Sequence, residues 1–214
     1  MARRRVFSSD AWWLLVVAAL ATAWSLIHPA DYGTWLFEIV PGGLGVIALL
    51  VLSTRVRFST LLVAVAAIHF VVLAAGAKYT YAEMPWFNWL RDAMHGSRNE
   101  YDRVGHFFQG FTVALLTRET LLRWTPLRRG FVVSFLSVCV GLAFSAFYEL
   151  LEWQWVVWFY PARGPEWLGM QGDPWDAQGD MLMALCGALA VVTVLARWHD
   201  RSIARAEAVS APTT

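Results

Sequence analysis

Three observations predict an all-α fold, a bundle of six transmembrane helices with both termini in the cytoplasm. The chain of 214 residues is 58% hydrophobic and only 15% charged, which is too apolar for an ordinary soluble domain. Its apolar residues fall into six runs, each close to the roughly 20 residues that cross a bilayer. Its arginines are concentrated in the connections on one side of those runs, as expected of cytoplasmic loops.

The six runs follow one another along the chain, with proline and glycine near their ends. We predict them at residues 11–27, 36–53, 58–77, 103–122, 131–152 and 176–197. They define a transmembrane domain over residues 11–198, between a basic cytoplasmic segment at 1–10 and a mobile cytoplasmic tail at 199–214. The first run also has the basic start and small-residue end of a secretory signal. Its three tryptophans favour a retained helix anchored at the membrane interfaces instead.

The distribution of charge supports this topology and a multi-pass location in the plasma membrane. Twelve of the 17 basic residues lie on the predicted cytoplasmic side: Arg3, Arg4, Arg5, Arg55, Arg57, Arg118, Arg123, Arg128, Arg129, Arg197, Arg201 and Arg205. The other five are Lys78, Arg91, Arg98, Arg103 and Arg163. No block of basic residues suggests nucleic-acid binding. Cys139 and Cys186 lie in apolar runs, which favours small buried side chains over a disulfide.

Ionisable residues of the last three predicted helices lie at two matching depths. Depth follows from a rise of 1.5 Å per residue, counted from the arginine at the cytoplasmic end of each helix. The deeper set, about 26–30 Å above the inner face, is His106, Glu149 and Asp180. The shallower set, about 32–35 Å above it, is Asp102, Glu152 and Asp176.

The spacing of these residues also places them on common helix faces. Asp102, His106 and Gln109 follow an i, i+4, i+7 pattern and therefore share one stripe. Glu149 with Glu152, and Asp176 with Asp180, are one turn apart. Below the carboxylates are small residues that let membrane helices approach closely, namely Gly141, Ser145, Ala184 and Gly187. The three helices are therefore expected to face one another around a polar pocket open to the outer leaflet, where charge is tolerated.

Eleven residues form the predicted ligand-binding set: Arg98, Asn99, Asp102, Arg103, His106, Gln109, Glu149, Glu152, Asp173, Asp176 and Asp180. Three interpretations remain open. The acids and arginines form a structural network that holds the helices in register, or the pocket binds a proton or polar ligand without metal, or it binds a divalent metal. One imidazole with several carboxylates suits Zn, Mn or Fe, and the metal ligands would be His106, Glu149, Glu152, Asp176 and Asp180.

Several long motifs occur in an order that resembles the YjdF-type bacterial inner-membrane proteins, a family of undetermined biochemical function. They are "HFVVLAAGAKYTYAEMPWFNWLRD", "RNEYDRVGHFFQGF", "AFYELLEW" and "LGMQGDPWDAQGDMLMALCGA". The resemblance covers about residues 60–205 and implies a bacterial inner-membrane location.

A more distant pattern is similar to the VanZ-like superfamily. It consists of Asp102-Arg103 to His106-Phe107 opening one helix, Glu149 in the next, and Asp180 before a small-residue helix. Because VanZ is associated with resistance to teicoplanin, this similarity implies action near lipid or envelope precursors at the outer face. The chain departs from the pattern by its additional acids, Glu152, Asp173 and Asp176.

The expected function is the binding of a lipid head group, an envelope intermediate or a small polar ligand in the outer-leaflet pocket, with membrane lipids as partners. Arg98 and Arg103 would bind anions. One alternative is a metal-assisted hydrolase or transferase acting on a lipid-linked phosphate. Another is a proton-coupled carrier using Glu149, Asp180 and His69, although the sequence lacks the inverted repeat typical of many carriers.

Overall fold

The computed structural model describes residues 8–163 and 170–210, and within them the chain is helical and contains no β-strand. The helices are α1 (Ser9–Leu26), α2 (Tyr32–Ser53), α3 (Thr60–Tyr79), α4 (Pro85–Ala93), α5 (Tyr101–Trp124), α6 (Phe131–Phe159), α7 (Asp176–Ala190) and α8 (Ala196–Ser210). A π-helical segment, Val191–Leu195, joins α7 to α8 without a break. The helices belong to two compact units, residues 1–80 with 195–214, and residues 81–194.

The first unit consists of α1, α2, α3 and α8. Each of its three long apolar helices is preceded by a residue whose side chain caps a free backbone N–H group of the first turn. Ser8, Asp31 and Ser59 accept these hydrogen bonds. Lys78 at the end of α3 donates to the backbone carbonyls of Trp24 and Ile27 at the end of α1. These contacts fix the helix ends in this unit.

Helix α8 occupies a stretch for which the sequence predicted a tail rather than a helix. His199, Ile203 and Ala206 are buried and recur at i, i+4 and i+7, so they form one face of the helix. Within the same unit, the Ser202 hydroxyl accepts a hydrogen bond from the Leu61 N–H at the start of α3. Residues 1–7 and 211–214 of the two predicted cytoplasmic segments lie outside the described residues.

The second unit consists of α4, α5, α6 and α7, and its core is the contact among the last three of these helices. Glycines allow the backbones to touch. A Cβ atom built on Gly110 would lie 1.9 Å from the Ala184 carbonyl oxygen, and one on Gly187 would lie 2.1 Å from the Phe107 carbonyl oxygen. Both separations are far inside van der Waals contact, so only glycine fits at these crossings.

Among the described residues, five helices are long and apolar enough to cross a membrane: Ser9–Leu26, Tyr32–Ser53, Thr60–Tyr79, Phe131–Phe159 and Asp176–Ser210. Many of their large apolar side chains are exposed, as in Trp13, Phe131 and Phe147, which is typical of a lipid-facing surface rather than of a soluble protein. The predicted run at 103–122 does form a helix, α5. It falls short in apolarity because it carries charged residues from Asp102 to Arg123.

Candidate functional site

The polar face of α5 is buried, as its spacing predicted. Asp102, His106 and Gln109 are only 5–7% exposed. The imidazole of His106 meets the ring of Tyr148 on α6 edge-on, with centroids 6.1 Å apart. Asp176 and Asp180 on α7 are buried as well. Side chains from three helices therefore meet in the second unit.

Two arginines and three aspartates form the upper part of this cluster, which we call the arginine–aspartate lattice. Nη1 of Arg98 lies 2.9 Å from Asp173 Oδ2 and 2.8 Å from Asp176 Oδ1. Nη2 of Arg103 lies 3.2 Å and 2.9 Å from the same two oxygens, and its Nη1 lies 2.5 Å from Asp180 Oδ1. Each guanidinium thus bridges more than one carboxylate, and Arg103 fixes α7 to α5.

Three carboxylates surround His106, and one of them, Asp180, also belongs to the lattice. The Nε2 atom of His106 lies 3.7 Å from Asp102 Oδ1, 3.6 Å from Glu149 Oε1 and 3.8 Å from Asp180 Oδ1. We call these four residues the imidazole–carboxylate group. Asp102, His106 and Asp180 each offer one ligand atom within 4.8 Å of the others, a separation that fits the coordination of one metal ion.

The local sequence explains why Arg103 reaches α7. Gly179 lies between Asp176 and Asp180, and a Cβ atom there would be 2.6 Å from the Cζ atom of Arg103. The guanidinium therefore lies directly on the backbone of α7, where it also donates to the Asp176 carbonyl at 2.9 Å. Any residue larger than glycine at this position would displace the arginine.

Asn99, predicted to bind a ligand, holds the loop before α5 together. Its amide donates to the Met84 carbonyl and to Asn88 Oδ1, and its own Oδ1 accepts from the Tyr101 N–H. Its backbone exchanges two hydrogen bonds with the side chain of Gln171. These bonds engage all the polar atoms of Asn99 and order the loop that carries Arg98.

The predicted metal set differs from the group that the structure gathers. His106, Asp180 and Glu149 come together as predicted, but Asp102 takes the place expected for Asp176, because both arginines hold Asp176 in the lattice. Glu152 lies on α6 one turn beyond Glu149 and, like Glu149, is only partly buried.

Two buried hydroxyl groups next to this cluster were not predicted as polar site groups. Ser145 lies one turn below Glu149 on α6 and is 0% exposed, and Thr112 lies below Gln109 on α5. The hydroxyl oxygens of both residues have no hydrogen-bond partner among the described residues. From the sequence, Ser145 was expected to be a small packing residue. Its position four residues before Glu149 was the signal that could have identified it as a polar group of the site.

Asp173, in the loop before α7, is the most exposed aspartate of the lattice, with 29% of its side chain accessible. Its Oδ1 accepts the Trp175 backbone N–H at 2.9 Å. This hydrogen bond, followed by the charges of Arg98 and Arg103, lowers the pKa of the carboxyl below its ordinary value of 3.8, whereas desolvation opposes the change. Asp173 therefore stays ionised in the native protein at neutral pH.

Apolar helices around a buried cluster of carboxylates, guanidinium groups and one imidazole define a multi-pass membrane protein. The chain belongs to the family described as "Predicted membrane protein (DUF2238)", which matches residues 11–201. It is 41% identical over 196 residues to the inner membrane protein YjdF of Escherichia coli K12, an alignment covering 90% of this chain and 93% of that protein. No solved structure matches this chain.

These findings confirm the resemblance to the YjdF-type proteins and a location in the bacterial inner membrane. The family is known only as a membrane protein family, so the chemistry of the site must be argued from its geometry. The distant similarity to the VanZ-like proteins stays a prediction.

Proposed function

We propose that the protein crosses the inner membrane six times with both termini in the cytoplasm, and that the cluster binds a phosphate-bearing lipid head group from the outer leaflet. Helix α5 is the span proposed in addition to the five apolar ones. Its charged residues Asp102, Arg118 and Glu119 are buried, which lets a helix of low apolarity lie in a bilayer. Arginine is in excess in the connections on the same side as the two termini, which indicates that this side faces the cytoplasm.

The observation that carries the ligand proposal is the number of unsatisfied polar atoms around the cluster. Arg98 Nη2 and Ser145 Oγ are buried without hydrogen-bond partners in the described part of the chain. Each such atom costs about 1–3 kcal/mol if it stays unsatisfied. A purely structural network would pair its own members, so these atoms favour an occupant with donors and acceptors.

Arg98 is the group best placed to meet an anion. Its Nη1 is held by Asp173 and Asp176, so the plane of the guanidinium is fixed while Nη2 remains available. Fixed guanidinium groups bind phosphate oxygens well because their N–H groups match the spacing of those oxygens. Arg103 differs, since its terminal nitrogens already bridge three aspartates.

The test is phospholipid retention by the full chain, purified in detergent and measured by native mass spectrometry with phosphatidylethanolamine and phosphatidylglycerol as probes. Arg98→Gln is expected to weaken retention roughly tenfold or more, the loss that follows from one charge-assisted hydrogen bond to phosphate. Arg91→Gln is the matched control, because Arg91 is a partly exposed arginine whose ion pair, in the described part of the chain, is with its neighbour Asp92. Equal retention in both variants, or none in the unmodified protein, would refute the proposal.

A further inference from the structure

The distances around His106 are unusual for a hydrogen-bonded network. Three carboxylate oxygens lie 3.6, 3.7 and 3.8 Å from the same nitrogen, Nε2. An N–H···O hydrogen bond brings its two heavy atoms to about 2.7–3.2 Å. A protonated imidazole would move toward one carboxylate and leave the others, whereas here it is nearly equidistant from all three.

Three of these residues, Asp102, His106 and Asp180, each offer one ligand atom that lies within 4.8 Å of the other two, as expected when the atoms surround a common point. Metal–ligand bonds of about 2.0–2.2 Å in a tetrahedral site separate neighbouring ligand atoms by about 3.3–3.6 Å. The distances from His106 Nε2 to the oxygens of Asp102 and Asp180, 3.7 and 3.8 Å, exceed that range by only about 0.1–0.2 Å. We propose that Asp102, His106 and Asp180 bind one divalent transition-metal ion of the Zn, Mn or Fe type, which accepts mixed imidazole and carboxylate ligands.

The charge of the cluster is an independent argument for a cation of this valence. Six of its side chains are at most 13% exposed, and they comprise the four carboxylates of Asp102, Glu149, Asp176 and Asp180 and the two guanidinium groups of Arg98 and Arg103. With a neutral imidazole these groups sum to a charge of −2, and the ionised carboxylate of Asp173, which is 29% exposed, adds one more negative charge to the cluster. A divalent ion offsets the charge of the six buried groups, which matters because uncompensated charge in a membrane interior is costly.

The surroundings of the three ligands resemble the outer shell of a metal site. Arg103 lies 2.5 Å from Asp180 Oδ1 and so fixes the orientation of that carboxylate. Gln109 lies beside the imidazole of His106 and interacts with it, but its Oε1 and the ring Nδ1 do not reach full hydrogen-bond geometry. A small side-chain rotation would let Nδ1–H donate to Oε1, and a bond of this type leaves Nε2 free to coordinate metal.

The inference deepens the proposed function, because the ion would lie below Arg98 and face the same head-group phosphate. A phosphate oxygen could then complete the coordination of the ion, as metal ions commonly bind phosphate in this way. The inference rests on the proposed function only for this last step. The metal site itself follows from the imidazole–carboxylate group alone.

The experiment is elemental analysis of the full chain, purified in detergent without chelator and then equilibrated separately with Zn²⁺, Mn²⁺ and Co²⁺. We expect about one equivalent of metal per chain. We also expect visible Co²⁺ absorption bands typical of a site of low coordination number. Asp180→Asn and Asp102→Asn should each lower retained metal at least roughly tenfold, since they replace ligands themselves.

The matched control is Glu119→Gln. Glu119 is also a fully buried glutamate, but it pairs with Arg123 and lies thirteen residues beyond His106 on α5, about 20 Å along the helix. This variant should keep its metal. Loss of metal from all three variants alike would overturn the inference, and so would absence of stoichiometric metal and Co²⁺ bands from the unmodified protein. The latter measurement decides the matter even if a variant fails to fold.

The two proposals fail in distinguishable ways. If the unmodified chain retains phospholipid through Arg98 but binds no metal, the metal site is refuted and lipid binding stands. If it binds metal but Arg98→Gln leaves phospholipid retention unchanged, the reverse holds.

Discussion

At the scale of single residues, Arg103 connects most of the site. Its guanidinium contacts Asp173, Asp176 and Asp180 and a backbone carbonyl of α7. Replacing Arg103 would leave the negative charge of these three carboxylates less compensated, and uncompensated buried charge is strongly destabilising. Lysine would be a poor substitute, because one ammonium cannot present the fork of donors that spans three acids.

Asp173 gives the lattice a dependence on pH whose sign can be stated. Because its native pKa lies below its ordinary value of 3.8, the ionised carboxylate stabilises the fold fully above that value. The contribution is lost as the pH falls through the lowered native pKa. We expect the thermal midpoint of the unmodified protein to exceed that of Asp173→Asn at neutral pH, and the gap to close on acidification below pH 3.8.

The measurement is a series of thermal unfolding scans in detergent across that range. Asp92→Asn is the control, because Asp92 forms a mostly exposed ion pair with Arg91, and such pairs contribute little. A gap between unmodified protein and Asp173→Asn that widens on acidification would contradict the assignment.

At the scale of helices, the contact of α5 with α7 depends on the absence of side chains. Gly110→Ala would place a methyl group 1.9 Å from the Ala184 carbonyl oxygen, and overpacking of this kind typically costs about 1–3 kcal/mol, occasionally more. Gly45→Ala on α2 meets nothing within 4 Å. It should be neutral or stabilising by up to about 1 kcal/mol, since alanine favours helix over glycine.

The two alanine variants should therefore change stability in opposite directions, measured by denaturant titration of the detergent-solubilised protein. Equal effects would mean that α5 and α7 do not approach as closely as their glycines allow.

Sequence patterns predicted the helices and much of the site because both depend on local spacing. The stripe of Asp102, His106 and Gln109 follows from helical periodicity alone, and the runs that became α1 to α3 follow from apolarity. The bonds between Gln171 and the Asn99 backbone were beyond prediction, because they join residues 72 positions apart. Helix α8 was missed because its charged residues resemble a solvated tail, although Ile203 and Ala206 mark a buried face.

At the scale of the whole molecule, the proposed topology gives a direct test of α5 as a span. Alkaline phosphatase fusions should be active when placed in the 94–99 loop and near residue 173, and inactive near residues 55, 128 and 210. Fusions to a fluorescent protein that matures only in the cytoplasm should show the opposite pattern. Phosphatase activity at residue 128 would place that loop outside and remove α5 from the membrane.

The dependence of α5 on α7 has a consequence for how the chain is made. On the proposed topology, α5 leaves the ribosome well before α7, yet α5 is too charged to partition into lipid unaided, and α7 begins with two aspartates that Arg98 and Arg103 neutralise. Helix α5 is therefore a poor substrate for insertion by itself, whereas the segment that begins with α7 is apolar enough to span. We expect α5 to settle in the bilayer only after α7 has been synthesised and supplies its partners.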